Sequence, residues 1–405
     1  MIFQKLFYLF KKTLSFADAR HTMPLKNKKD KTVMARFSAE NGDGKAVYMK
    51  NGKRAFFAAA NTEEGFRNLF GSVFSPHSLK KIFIIKGGPG TGKSTLMKHI
   101  AAKAEEKGYE AELYYCSSDT QSLDGVIIPA LSCAVLDGTA PHATDPKYPA
   151  AAETVVSLYD AFNMTGLRAR RDEIIATAAE NSEYYRAAYR FLSAAGKVSR
   201  ETEEWALSAY DFAKAAAAQK RLIRAVTLPR GFACESEEKY VDAIGTSGEV
   251  HLTTLEDCAK KVYTVSEKYG LGGYFLTELG KMCADAGMPL IKCPSPLRRD
   301  RLESLYIKGA DVLFTVCRDE EKCRYGEHNI NILRFADKNA LSAMRRKLKF
   351  SRKCFECLMD AANENLAQVK RVHAALEAIY IENTDFSAVE DVRDKILRDI
   401  FADNM

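Results

Sequence analysis

The sequence predicts an α/β fold of two successive units, each built on a parallel β-sheet and followed by a helical hairpin. Residues Lys81–Ile85 form a β-branched and aromatic run that leads into glycines and then into a helical pattern. A similar run recurs 180 residues later, at 261–265. After each unit, apolar residues recur at alternating spacings of three and four, which is typical of helices with one apolar face.

The glycine-rich segment after the first run is the most informative motif of the chain. Residues 87–94 read GGPGTGKS and satisfy the pattern GxxxxGK(S/T) at every fixed position. A strand (Ile82–Ile85) is predicted directly before it and a helix (Leu96–Lys107) directly after it. In this context the motif forms a phosphate-binding loop. Each unit is therefore predicted to be P-loop NTPase-like, and the first is predicted to bind a nucleoside triphosphate.

Each residue type in the motif has a physical reason. Glycines let successive backbone N–H groups turn toward the phosphates, and the N-terminus of the following helix adds its partial positive charge. Lys93 is expected to reach the β and γ phosphates, and the Ser94 hydroxyl to ligate Mg²⁺. ATP and Mg²⁺ are the predicted cofactors. The predicted nucleotide-binding residues are Gly87, Gly88, Pro89, Gly90, Thr91, Gly92, Lys93, Ser94 and Thr95.

A carboxylate follows another apolar run of the first unit. Residues 133–137 read CAVLD, so Asp137 is predicted at the tip of a strand, where it would help Ser94 to hold Mg²⁺. Many motor-type ATPases carry a glutamate directly after this aspartate, but this chain has Gly138. We expect Asp119 to act as the general base or to position water, with Asp124 as the second choice. The alternative is that the segment Ser-Ser-Asp around Asp119 only caps a helix.

Other polar side chains allow further interpretations of the active site. His142, shortly after Asp137, could sense the γ phosphate, although surface histidines in loops usually have no such role. In the second unit, Arg298, Arg299 and Arg301 could supply a positive charge to the first site. The alternative for these arginines is a solvated helix face.

The second unit repeats the first with an eroded loop. An ungapped alignment places Gly270 and Gly272 over Gly90 and Gly92, but it also places Glu267 over Gly87. The same alignment puts Gly273 and Tyr274 over the lysine and serine of the motif, so we expect no ordinary phosphate binding there. Further on, where the offset between the halves is 177 residues, the repeat superposes residues 134–136 on residues 311–313.

The repeat divides the chain into three parts. Residues 1–35 are predicted to be a disordered basic leader. Residues 36–228 form unit 1 with a hairpin at about 160–225, and residues 229–405 form unit 2 with a hairpin at about 338–405. The apolar seams of the hairpins include residues 185–195, 205–216 and 369–379. Each hairpin could pack on itself or on its counterpart, and an exposed seam could bind a protein partner or a second copy of the chain.

Composition narrows the function classes. Residues 1–33 contain eight basic and two acidic side chains, so most of the net charge of +7 lies in the leader and does not indicate nucleic-acid binding. No apolar stretch is long enough for a transmembrane helix. The ten cysteines fit free thiols in a cytoplasmic protein. Cys354 and Cys357 fit an apolar helix face better than a zinc site.

Four longer segments resemble one protein family. The strings GGPGTGKSTLMK, YYCSSDTQSLDGVIIP, AVLDGTAPHATDPKYP and IYIENTDFSAVEDVRDKIL are similar to those of a group of bacterial tandem P-loop ATPases, over roughly residues 36–405. The resemblance implies ATP binding and the two-unit architecture, but no particular substrate. Members of this group commonly carry a working loop in each half, and this chain departs from that pattern in its second half.

These observations lead to one expected function and two alternatives. We expect slow Mg²⁺-dependent ATPase activity in unit 1, with unit 2 as a degenerate structural or regulatory partner. A small-molecule or nucleotide kinase is the alternative within enzymes. A non-enzymatic interaction module, in which ATP orders the two halves, is the alternative outside them.

Overall fold

The computed structural model describes residues 47–49, 54–229, 234–318 and 328–402, all within the unit Ser38–Met405. The predicted leader, residues 1–35, lies outside the described residues. The first half contains these elements in chain order: β1 Val47–Met49, β2 Arg54–Phe57, β3 Ala59–Thr62, β4 Gly65–Asn68, α1 Phe70–Val73, β5 Lys81–Lys86, α2 Lys93–Glu106, β6 Glu112–Tyr115, β7 Leu123–Ile128, β8 Cys133–Asp137, β9 Glu153–Ser157, α3 Met164–Ala169, α4 Arg171–Leu207 and α5 Phe212–Arg224.

The second half repeats this order. Its elements are β10 Glu237–Glu238, β11 Asp242–Gly245, β12 Gly248–Leu252, α6 Thr254–Cys258, β13 Lys261–Ser266, α7 Leu271–Asp285, β14 Leu290–Pro294, β15 Leu302–Ile307, β16 Val312–Cys317, β17 Asn329–Ile330, α8 Lys338–Ala343, α9 Arg345–Ile381 and α10 Phe386–Phe401.

Two six-stranded sheets with the same topology confirm the repeat. Their strand orders are β2-β6-β7-β8-β5-β9 and β10-β14-β15-β16-β13-β17. In each sheet the third strand, β7 or β15, runs antiparallel to both neighbours, while the other pairings are parallel. Even the register shift in the β6–β7 pair recurs in the β14–β15 pair. The sheets are therefore mixed, and the prediction of purely parallel sheets is wrong. The short link from β6 to β7 permits only a hairpin, since a parallel crossover needs a dozen or more residues.

Hydrogen-bond register corrects the sequence alignment of the halves. Lys81 pairs with Cys133 in the first sheet, and Lys261 pairs with Val312 in the second. Cys133 therefore corresponds to Val312, and Ala134 corresponds to Leu313 rather than to Asp311. The sequence-based match of residues 134–136 with residues 311–313 is two residues out of register, because uniformly apolar strands resemble each other at several offsets while backbone pairing allows one.

The long helices α4 and α9 form an antiparallel pair. Arg170, next to α4, contacts Glu382 at 2.8 Å, and Glu180 contacts Arg371 at 3.2 Å. Residue numbers rise along α4 while those of the contacting residues in α9 fall, so the two helices are antiparallel. Between them lies the apolar cluster Ala188, Leu192, Ala195, Met359, Ala362 and Leu366. The seams predicted at 185–195 and 369–379 are confirmed. The prediction that residues 205–216 form one helical seam is wrong, because α4 ends and α5 begins within this range.

The short terminal helices are exchanged between the halves. Helix α10, at the end of the second half, packs Val389, Ile396 and Ile400 into the core of the first half, with Leu96 and Ile100 of α2. Helix α5, at the end of the first half, packs on α7 of the second half in the same way. The hairpins therefore do not complete their own units: each long helix carries its terminal helix to the opposite unit.

The two halves also share a core between their sheets. Apolar side chains of both form one cluster that includes Phe56, Ile84, Ile291 and Leu313. Next to it, the Nζ of Lys239 lies 2.5 Å from a carboxylate oxygen of Glu112, with both side chains buried. A buried ion pair of this kind is costly to break, because removing one partner leaves an uncompensated charge.

The described helices and cysteines bear on three expectations from the sequence. None of the described helices combines the length and apolar character that a bilayer crossing requires. Cys317 is disulfide-bonded, unlike the free thiols expected throughout. Cys357 is exposed, so its expected packing in a core is wrong, whereas Cys354 is half-buried.

The helix exchange predicts that damage to α10 destabilises the first half. We expect Ile396→Ala, at a position only 2% exposed, to lower the free energy of unfolding by about 2–5 kcal/mol, because it leaves a cavity in the core. Chemical denaturation measures this loss. Ile175→Ala, at a position 51% exposed, is the matched control and should change stability by less than about 1 kcal/mol. Equal effects of the two substitutions would contradict the packing of α10 described above.

Candidate functional site

The glycine-rich loop, residues 87–92, connects β5 to α2. Gly90 and Gly92 have φ angles of 68° and 81°, in the left-handed region that favours glycine, and Gly92 caps the N-terminus of α2. The strand–loop–helix context predicted for this motif is confirmed. The backbone N–H groups of the first turn of α2 consequently face the carboxyl end of the sheet, where ligands bind in α/β folds.

Lys93 and Asp137 are brought together below this loop. The Lys93 side chain is 9% exposed; its Nζ donates a 2.6 Å hydrogen bond to the carbonyl oxygen of Gly88 and lies 3.6 Å from Oδ2 of Asp137. The other carboxylate oxygen of Asp137 accepts hydrogen bonds from the backbone N–H and the hydroxyl of Thr139, at 2.8 and 2.5 Å. Asp137 is therefore held in one orientation beside the lysine.

The remaining loop residues differ in their surroundings. The Thr91 hydroxyl donates a 2.8 Å hydrogen bond to the carbonyl oxygen of Gly88, which closes the loop from inside. Ser94 accepts a 3.0 Å hydrogen bond from the backbone N–H of Leu123, the first residue of β7. Pro89 is half-buried and Thr95 is exposed. The Ser94 hydroxyl thus lies at the sheet edge that also carries Asp137.

Asp119 lies in the turn between β6 and β7. Its carboxylate accepts hydrogen bonds from the Ser122 hydroxyl at 2.8 Å and from the backbone N–H of Gln121 at 3.4 Å. These bonds stabilise a turn between two strands, so the expected helix cap is wrong, although a structural role for the side chain is favoured. Burial lowers the pKa of Lys98, and the negative charge of Asp119 opposes that shift, so the two side chains are electrostatically coupled. The role of Asp119 as a base stays a prediction.

Asp124 and His142 form a buried pair in the same region. They are 4% and 6% exposed, and Nε2 of His142 lies 3.3 Å from Oδ2 of Asp124. Burial lowers the pKa of His142, but the carboxylates of Asp124 and Asp137 outweigh it and raise the pKa overall; Lys93 opposes them. His142 is therefore not the surface histidine that a loop position suggests. The antiparallel course of β7 places Asp124 at this edge, which the expected parallel sheet did not reveal.

The far end of α9 covers the outside of the loop. A Cβ atom added to Gly88 would lie 2.6 Å from the ring of Tyr380, and one added to Gly90 would lie 2.8 Å from the carbonyl oxygen of Glu377. The ring of Phe386, at the start of α10, would lie 3.6 Å from a Cβ atom at Gly92. Glycine is thus needed for close packing as well as for backbone conformation. The second half of the chain holds the loop of the first half in place.

The corresponding loop of the second half is shorter by two residues. Helix α7 begins at Leu271 after Gly270, just as α2 begins at Lys93 after Gly92. Leu271 therefore occupies the helix position of the lysine, and Gly272 that of the serine. The ungapped alignment, which put Gly273 and Tyr274 there, is wrong because the loop itself carries the deletion. The loss of the lysine and serine is nonetheless confirmed.

A carboxylate occupies the helix N-terminus in the second loop. Oε1 of Glu267 accepts a 2.6 Å hydrogen bond from the N–H of Gly270, and Oε2 accepts a 3.1 Å bond from the N–H of Gly273. Burial raises the pKa of Glu267 overall, although Arg318 and the two amide hydrogen bonds oppose this shift. The chain thus places its own carboxyl group at this helix N-terminus, a position that favours negative charge.

The three arginines of the second unit follow β14, near the loop that contains Glu267. Arg298, 3% exposed, and Arg301 both contact Glu203 near the end of α4, and Arg299 contacts Glu238 at 2.8 Å. The burial of Arg298 contradicts a solvated helix face. The contacts of Arg298 and Arg301 link this part of the second unit to α4. A role of the three arginines as an arginine finger stays a prediction.

Comparisons with known proteins add one similarity. The family model described as Nephrocystin 3, N-terminal matches residues 67–186, from β4 through the glycine-rich loop to the middle of α4. The match covers less than a third of the chain. The searches of curated proteins and of solved structures found no match. The resemblance to bacterial tandem P-loop ATPases stays an expectation beside this finding.

The packing of α9 on the loop predicts a coupled pair of substitutions. We expect Gly88→Ala to lower the free energy of unfolding by about 1–3 kcal/mol, because its methyl group overlaps the Tyr380 ring. Tyr380→Ala should cancel most of this loss in the double variant. A double-mutant cycle by chemical denaturation measures the coupling. Gly71→Ala, where an added Cβ meets nothing within 4 Å, is the control. Additive effects at positions 88 and 380 would contradict the contact.

The Glu267 carboxylate in the second loop leads to the prediction that an inorganic anion can replace it and restore stability. We expect Glu267→Ala to cost about 1–3 kcal/mol, since it leaves buried amide N–H groups unsatisfied. Sulfate should restore part of this stability by binding the same amides, so the melting temperature of the variant should rise more steeply with sulfate than that of wild type. Glu278→Ala, on the helix α7 that follows the second loop, controls for the general effect of sulfate on stability. Parallel sulfate responses in all three proteins would refute the idea.

Proposed function

We propose that the first half binds MgATP at residues 87–95 and hydrolyses it slowly, while the second half acts as a structural and regulatory partner. The observation that carries this proposal is the buried contact of Lys93 with Asp137 beneath the glycine-rich loop. The family resemblance to tandem P-loop ATPases supports it. A cytoplasmic location belongs to the same proposal, and the free thiol of each described cysteine except Cys317 is compatible with it.

Phosphate binding follows from the amides and the lysine. Without nucleotide, Nζ of Lys93 donates to the carbonyl oxygen of Gly88. Phosphate oxygens would be better acceptors than this carbonyl, because their negative charge adds Coulomb attraction to the hydrogen bond from the ammonium group. The second loop supports binding of an anionic group at the first, since the equivalent helix N-terminus there binds the Glu267 carboxylate.

Magnesium binding would fall to Ser94 and Asp137. Both side chains lie at one edge of the sheet, and hard oxygen ligands of this kind suit an ion that keeps several of its waters. In the proposed complex, Mg²⁺ would separate Asp137 from Lys93, so that each binds a partner of opposite charge. The hydrogen bonds from Thr139 would keep the Asp137 carboxylate oriented throughout.

Slow turnover is the consequence of the residue after Asp137. A Cβ atom at Gly138 would lie 2.3 Å from Cγ2 of Ile84 in the neighbouring strand, so the glutamate of motor-type ATPases does not fit there. Water positioning must come from another group, for which Asp119 and the Asp124–His142 pair are the candidates. Asp119 is the first candidate; the charges of Lys93 and Asp137 both act on His142, which pairs with Asp124.

One observation also favours a nucleotide-gated interaction module. Tyr380 and Glu377 of α9 contact the outer side of the loop, so a change in the loop on nucleotide binding would be passed directly to α9. This alternative requires binding without turnover. A change in hydrogen exchange along α9 on adding ATP, with no release of phosphate, would favour it over the ATPase.

Calorimetry and a phosphate-release assay test the proposal. We expect Lys93→Ala to weaken MgATP binding about 10- to 100-fold, because it removes a charged hydrogen bond to the phosphates. Lys103→Ala, an exposed position on the same helix, should bind as wild type does. Asp137→Asn should retain binding but lose Mg²⁺-dependent phosphate release. Unchanged binding by Lys93→Ala would overturn the assignment of the site.

A further inference from the structure

We propose that Cys116, Asp124 and His142 form a binding site for one divalent transition-metal ion of the zinc class. This site is separate from the Mg²⁺ ligands proposed above and does not depend on nucleotide. The three residues come from different segments: Cys116 directly follows β6, Asp124 lies at the start of β7, and His142 follows β8. Their potential ligand atoms all lie within 4.8 Å of one another.

Unsatisfied polar atoms concentrate at this cluster. Among the described residues, Oδ2 of Asp124, Nδ1 of His142 and the hydroxyl oxygen of Ser117 are buried without a hydrogen-bond partner. Buried polar atoms are rarely left in this state, because each costs the desolvation of that group. An ion bound by the carboxylate and the imidazole would compensate this cost.

The contact between Asp124 and His142 has the spacing of two metal ligands. Oδ2 of Asp124 and Nε2 of His142 are 3.3 Å apart, and no well-directed hydrogen bond occupies Oδ2. Two ligands bound to one tetrahedral zinc ion at about 2.0–2.2 Å lie roughly 3.3–3.5 Å apart. The pair therefore has a geometry that an ion between the two atoms would stabilise. The Cys116 sulfur would complete three protein ligands by a small side-chain adjustment.

The donor set selects the class of ion. One sulfur, one imidazole nitrogen and one carboxylate oxygen suit Zn²⁺ and similar borderline ions, whereas Mg²⁺ prefers oxygen ligands alone. Binding converts the Cys116 thiol to a thiolate and releases its proton to solvent. Three protein ligands leave a fourth position for water, as in catalytic rather than closed structural zinc sites.

The position of the site connects it to the glycine-rich loop. The backbone N–H of Leu123, next to Asp124, donates to the Ser94 hydroxyl, and the backbone N–H of His142 donates to the carbonyl oxygen of Thr139, whose side chain orients Asp137. An ion at Cys116, Asp124 and His142 would fix both segments relative to each other.

Cobalt titration of the full-length chain tests this site. Protein freed of metal by a chelator, with neither nucleotide nor Mg²⁺ present, is titrated with Co²⁺ as a spectroscopic substitute for Zn²⁺. We expect one ion per chain, a thiolate-to-cobalt charge-transfer band, and displacement by Zn²⁺. Cys116→Ser should abolish the band, while Asp124→Asn and His142→Gln should weaken affinity at least about tenfold. Cys258→Ser and His77→Gln are the matched controls and should bind as wild type.

Two outcomes would overturn the proposal. One is the absence of saturable Co²⁺ binding to wild type, which would leave Asp124 and His142 as an ion pair only. The other is a charge-transfer band that survives Cys116→Ser. Circular dichroism of each variant separates lost ligands from lost folding. Because nucleotide is absent, failure here leaves the MgATP result untouched, and failure of MgATP binding leaves this result untouched.

Discussion

The exchange of the terminal helices is the constraint on which the rest of the structure depends. Each α/β half leaves an apolar face on its loop-bearing helix, and the helix that covers this face comes from the other half of the chain. The long helices α4 and α9 must then lie antiparallel, since each carries its terminal helix across. The same arrangement brings Tyr380 and Glu377 against the first loop and Glu203 against the second. Hydrophobic burial thus fixes the environment of both loops.

The two loops show how a symmetric scaffold supports different chemistry. Both glycines that cap the following helices have positive φ angles, and both helices present N–H groups to the sheet edge. In the first loop a lysine follows the cap, and its Nζ lies beside Asp137. In the second, Leu271 follows the cap and the Glu267 carboxylate occupies the amides. Two deleted residues and one buried charge therefore separate a candidate nucleotide site from a closed one.

Local patterns predicted the elements of this fold better than their arrangement. The β-branched run, the glycine motif and the three–four spacing correctly predicted β5, α2 and much of α4 and α9, because backbone conformation and one-sided burial leave direct marks in sequence. Strand direction at β7 and the helix exchange depend on contacts between distant segments, which no local pattern records. For the same reason Lys93 and Asp137 could be placed together from their motifs, while Cys116 gave no signal until the β6–β7 hairpin brought it beside Asp124 and His142.

The crossed connection of α5 and α10 also limits how this protein can be dissected. A fragment ending near residue 228 would retain the glycine-rich loop but lose Val389, Ile396 and Ile400 from its core, and it would carry α5 without its binding surface on α7. The boundary that divides the repeat in sequence is therefore not a boundary between independently folding pieces. Either loop can therefore keep its native surroundings only in a chain that contains both halves.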